Sequence, residues 1–83
     1  MPLRIWCRSI IDGAPTETVL PHTHPVGSAP ADLRRLLRDV TSAQPGWSVK
    51  GPFHEDGKFA RWEVVDQRGV VAAAYRLVGP RDW

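Results

Sequence analysis

Between residues 33 and 40 the apolar side chains of this chain recur every three or four positions, and from residue 47 onward they recur every second position. That change of period constrains the fold more than any other feature. Leu33, Leu36, Leu37 and Val40 stand at i, i+3, i+4 and i+7, which is one apolar stripe of an α-helix. Ser28 sits where an N-cap belongs, and Pro30 suits the first turn, where a missing N–H costs nothing. Pro45-Gly46 stops the helix near Ala43 or Gln44. Beyond it, Trp47–Phe53, Lys58–Val65 and Val70–Val78 alternate apolar and polar, separated by His54-Glu55-Asp56-Gly57 and Asp66-Gln67-Arg68-Gly69. Alternating runs joined by short Asp- and Gly-rich turns read as an antiparallel meander.

Ahead of the helix, residues 3–11 alternate and meet Asp12-Gly13, a strand running into a turn. Residues 16–20 are a short return strand, and the proline-punctuated residues 21–28 are a loop. The expected fold is α+β: an antiparallel sheet of four or five strands in β(β)αβββ order, with one amphipathic helix packed on one face. The chain's 83 residues suffice for a single domain over 1–83. No stretch approaches the ~18 apolar residues of a membrane helix. Residues 1–8 lack the unbroken apolar run of a signal peptide, and Cys7 alone allows no internal disulfide. The cytoplasm is the expected location.

One helix covers one face of a sheet, and alternation assigns side chains to each face. Leu3, Ile5 and Cys7, then Trp47, Val49 and Phe53, then Ala60, Trp62 and Val64, then Val71, Ala73, Tyr75 and Leu77 are expected to face the helix. The other face is expected to carry Arg4, Trp6, Arg8, Lys50, Phe59, Arg61 and Arg76, with Glu63 among them. Exposed rings interleaved with arginine suit single-stranded nucleic acid, where rings stack on bases and guanidinium pairs with phosphate. The same composition suits a protein partner, and a second copy of the chain is a third occupant. It also suits a solvated face with charges paired across strands, or a face covered by residues 12–28. The net charge of +2 is small for a dedicated nucleic-acid module. On the helix, Arg35 is placed to pair with Asp32 and Asp39.

Signals for catalysis are weak. Cys7 falls on the core face, no serine has a nucleophile elbow around it, and no glycine series precedes the helix. No catalytic residue and no cofactor is expected. His22-Thr23-His24 is the one local spacing that suggests a metal, because residues i and i+2 of an extended segment point the same way. A third ligand would come from His54, Glu55, Asp56 or Cys7.

The C-terminal segment, with Trp62-Glu63-Val64-Val65-Asp66, Gly69-Val70-Val71 and a closing Leu77-Val78-Gly79-Pro80-Arg81-Asp82, resembles the end of RelE/ParE-type toxins. The resemblance covers under a third of the chain, its hairpin motif is generic, and the family's helical hairpin has no counterpart among these residues. It implies that Arg61, Arg76 and Arg81 contact RNA phosphates.

The residues together point to a small non-enzymatic binding or regulatory module, engaging a protein or single-stranded nucleic acid through its Arg/Trp-rich open face. A RelE-like RNA-acting toxin and a metal-binding protein using the His22/His24 loop are the alternatives.

Overall fold

The helical stripe and the alternating runs come together as two layers. A computed structural model describes residues 1–11 and 13–83, with Ile11 described by its backbone alone. The chain runs through β1 (Pro2–Ile11), β2 (Ala14–Val19), β3 (His24–Pro25), α1 (Ala29–Ser42), β4 (Ser48–Phe53), β5 (Arg61–Val65) and β6 (Val71–Val78). A short 3-10 turn, Pro80–Asp82, follows. The strands pair antiparallel in the order β2-β1-β6-β5-β4, and β3 pairs with the first residues of β1. This is the α+β architecture expected, with the two-residue β3 added. Asp12 of the expected Asp12-Gly13 turn lies outside the described residues.

Helix α1 starts and stops where the sequence marks it. Ser28 occupies the N-cap position, but its hydroxyl makes no capping bond and donates to Pro25 O at 3.4 Å instead. Arg35 forms no ion pair among the described residues, because Asp32 is taken by His24 at 2.9 Å and Asp39 stays unpaired. The helix lays Ala29, Leu33 and Leu37 on Leu3, Ile5, Val64, Ala73, Tyr75 and Leu77. Cys7, Leu36, Val40, Trp47, Val49 and Trp62 pack round the margin of that core. Each large apolar side chain removed from water contributes about 1.5–3 kcal/mol, so this layer supplies most of the drive to fold.

Two register shifts correct the expected faces. In β4 the pairing steps from Lys50↔Glu63 to Phe53↔Arg61, three residues against two. The extra residue turns Phe53 from the helix side to the open side. Gly51 makes the shift feasible: its φ is 122°, and a Cβ there would stand 3.1 Å from Arg61 O. In β6 the pairing steps from Val64↔Ala73 to Val65↔Val71, so Val71 also leaves the core face. Strand β5 begins at Arg61 and not Lys58, which leaves Phe59 and Ala60 in the loop before it.

The two lateral edges are β2 and β4. The bond from Leu20 N to Ile5 O fixes the phase of the β1–β2 ladder. In that phase Pro15, Glu17 and Val19 turn their backbone groups away from β1, and Pro15 has no N–H to present.

Tyr75 and Cys7 are cross-strand neighbours on the core side. Burial pushes the Tyr75 hydroxyl up to about 12, and the adjacent Cys7 thiol adds to the shift. Burial likewise pushes the Cys7 thiol up, and the neighbouring Tyr75 hydroxyl offsets part of the rise. Both acids hold their protons more tightly folded than unfolded. Stability is therefore full below the unfolded values of 9.0 and 10.0 and falls as pH rises through the folded ones. The chain has a single tyrosine, so tyrosinate absorbance reports Tyr75 alone. We expect its midpoint near 12 in the folded protein, and Tyr75→Phe to remove part of the alkaline loss of stability in urea melts. Leu33→Ala should cost about 3 kcal/mol in the same melts, since Leu33 is 2% exposed beneath the helix.

Candidate functional site

The open face is organised by the cross-strand rungs of the sheet. One rung runs Val19, Trp6, Arg76, Arg61, Phe53 across β2, β1, β6, β5 and β4. The next runs Glu17, Arg8, Ala74, Glu63, Lys50. In the first, two arginines stand side by side between two rings. The Arg76 guanidinium lies 5.6 Å from the Trp6 ring centroid and the Arg61 guanidinium 5.4 Å from that of Phe53. In the second rung Arg8 approaches Glu17 at 4.0 Å, and Arg61 reaches across to Glu63 at 3.8 Å. Ala74 in the middle of that rung is too small to fill its place. The result is a groove of about 510 Å³ lined by Trp6, Arg8, Ile10, Arg61, Glu63, Val71–Ala74 and Arg76, with Glu55 also on its wall.

Glu55 reaches the groove from the β4–β5 loop. The β4 bulge sends the chain off on the open side at Phe53, and Lys58 N closes a turn by donating to Glu55 O at 3.2 Å. Arg61 Nη1 donates to Glu55 Oε1, and Arg76 Nη2 forms an ion pair with the same oxygen at 2.8 Å. Lys58 Nζ lies 3.8 Å from the other carboxylate oxygen. One carboxylate thus bridges two arginines that would otherwise repel each other across the strand pair, offsetting one of their two charges. The Nε–H groups of Arg61 and Arg76 are buried and make no hydrogen bond.

The seven residues expected to form one surface separate into four places. Trp6, Arg8, Arg61 and Arg76 meet in the groove. Arg4 is held elsewhere: the 3-10 turn folds the C-terminus back so that the Arg4 guanidinium lies 4.1 Å from the Trp83 ring centroid, while Trp83 Nε1 donates to Val78 O at 3.2 Å. Lys50 is exposed on the edge strand β4, outside the groove. Phe59 stands on no strand; it lines a second cavity of about 460 Å³ at the end of the sheet, with Trp6, Arg76, Lys58 and Val78. Sequence reasoning missed Glu55, Phe53, Ile10 and Trp83. Of residues 12–28, those described do not cover this face: Ala14–Val19 form the edge strand β2 beside β1, and His24 is drawn to Asp32 on the helix side.

The His22/His24 loop does not gather ligands. Among the described residues no three His, Cys, Asp or Glu side chains converge on a point where an ion would sit. His24 Nδ1 is bonded to Asp32 Oδ2, which ties the loop to the first turn of α1, and His22 is exposed. The family resemblance finds no further footing either: α1 is the single α-helix among the described residues. Among the described residues no helix is long and apolar enough to cross a membrane.

Because Glu55 and the arginines are partly exposed, their mutual attraction is modest. A double-mutant cycle of Glu55→Gln and Arg76→Gln, measured by urea unfolding, should give a coupling of about 1 kcal/mol. High salt should shrink it. The chain matches no protein-family model, no curated protein and no solved structure at a level that shows kinship.

Proposed function

We propose that this chain is a binding module whose open sheet face takes an acidic segment of a protein partner. The observation that carries this reading is the rung Trp6–Arg76–Arg61–Phe53, with the groove beside it. Tryptophan and arginine anchors around a desolvated depression are the usual centre of a protein interface. Exposed apolar side chains border it: Ile10 is 50% exposed and Phe53 39%, while Phe59, 45% exposed, stands over the neighbouring cavity at the end of the sheet. The surplus of arginine and lysine on the face selects a segment of negative charge.

The composition also suits single-stranded nucleic acid, but the geometry favours it less. Base stacking needs open ring faces, and guanidinium groups already lie against Trp6 and Phe53. Phosphate tracking needs unpaired cations, and Arg8, Arg61 and Arg76 face Glu17, Glu63 and Glu55.

Photo-crosslinking separates the two. A photoreactive phenylalanine analogue is placed at Phe59 or at Ile10 on the open face, and at the exposed Arg35 on the helix, in cells that make the protein. Adducts from the first two sites that yield to protease, carry an acidic segment by mass spectrometry and vanish with Trp6→Ala are the expected result. Adducts that yield to nuclease, or equal labelling from Arg35, would overturn the reading.

A further inference from the structure

We propose that Arg61 and Arg76 form a phosphate-monoester clamp, which Glu55 fills from within the chain until a phosphorylated side chain of the partner displaces it. The origin of the phosphate rests on the protein-binding reading above; the clamp itself does not.

Three observations carry it. Arg61 and Arg76 are direct cross-strand partners, so two guanidinium groups are fixed next to each other on a rigid sheet. Trp6 and Phe53 flank them and limit their swing, which holds the pair in place before any ligand arrives. The anion now present uses the pair poorly. Glu55 gives the same single oxygen to both arginines, and its other oxygen is turned toward Lys58. Guanidinium is built to give two parallel N–H bonds to one anion. Here the Nε–H of each arginine is buried and makes no hydrogen bond; that of Arg61 has Glu63 Oε2 at 3.8 Å, beyond bonding distance.

The choice of ligand follows from the competition. Glu55 is tethered, so its effective concentration at the arginines is of the millimolar order or more. A carboxylate from a partner brings the same chemistry without the tether and gains nothing by exchange at this pair; the acidic side chains of the segment are left to the cations around it, such as the exposed Lys50, which forms no ion pair among the described residues. A phosphate monoester brings about −1.5 to −2 charges and three acceptor oxygens, enough to engage both forks together. The groove has room beside the pair because Ala74 leaves its floor low. The loop residue Gly57, two residues from Glu55, has open space where a Cβ would stand, so nothing packs against the loop at that point.

Arginine Nε–H resonances in a nitrogen-15 correlation spectrum read the clamp directly. The whole chain is titrated with inorganic phosphate, and separately with a short phosphoserine peptide, at constant ionic strength. We expect the Arg61 and Arg76 signals to move saturably. Glu55→Gln should tighten the apparent phosphate affinity about tenfold by freeing the pair. Arg61→Lys, which keeps the charge and loses the fork, should weaken it. The peptide should bind more tightly than inorganic phosphate. Signals that stay still in Glu55→Gln, or equal affinity with and without Glu55, would overturn the clamp. A peptide that binds no better than inorganic phosphate would overturn its assignment to a partner side chain. Crosslinks to protein without a phosphate response sink the clamp alone; a phosphate response with crosslinks to RNA keeps the clamp and sinks the protein reading.

Discussion

Leu33 and Leu37 pressed against the middle of the sheet are the contact on which the rest of the molecule depends. A chain this short affords one helix, and one helix buries one face. The second face has to be stable in water without a covering layer. It achieves this by laying guanidinium groups beside aromatic rings and by matching charges rung by rung. Such contacts are individually weak, of the order of 0.5–1 kcal/mol at exposed positions. They order the face more than they stabilise the fold, and an ordered, unburied face with mixed charge is what a recognition surface requires.

The architecture was legible because periodicity encodes burial. Leu33, Leu36, Leu37 and Val40 have no other reason to recur as they do, and neither do Leu3, Ile5 and Cys7. The faces were less legible where the period breaks. Alternation counts residues and assumes each advances the strand equally, and the bulges at 50–53 and 71–73 violate that assumption. Gly51-Pro52 inside an alternating run was the available signal for the first. Nothing comparable marks the second, since the run from Val71 to Ala73 holds no glycine or proline.

The candidate site was half legible for a related reason. Trp6, Arg8, Arg61 and Arg76 lie on strands, where direction follows from count. Glu55 lies on a loop, and no periodicity tells a loop side chain where to go. Its destination is set by the bulge two residues upstream and by the attraction of two arginines that only the folded sheet brings together. The same blindness affects charge. A net +2 records how many charges exist and not which are satisfied, so the face reads as more basic in sequence than it is in space.

The manner in which the sheet ends has a consequence for the molecule in a crowded solution. A sheet with two free sides is an open invitation to further strands, and small β-rich chains risk growing into fibres. Along β2 the outward positions are Pro15, Glu17 and Val19, so an incoming strand meets a missing donor, then a charge, before it can zip up. Along β4 the bulge and Pro52 break the straight run a neighbour would need. The chain can therefore leave one face of its sheet uncovered while denying its sides to copies of itself.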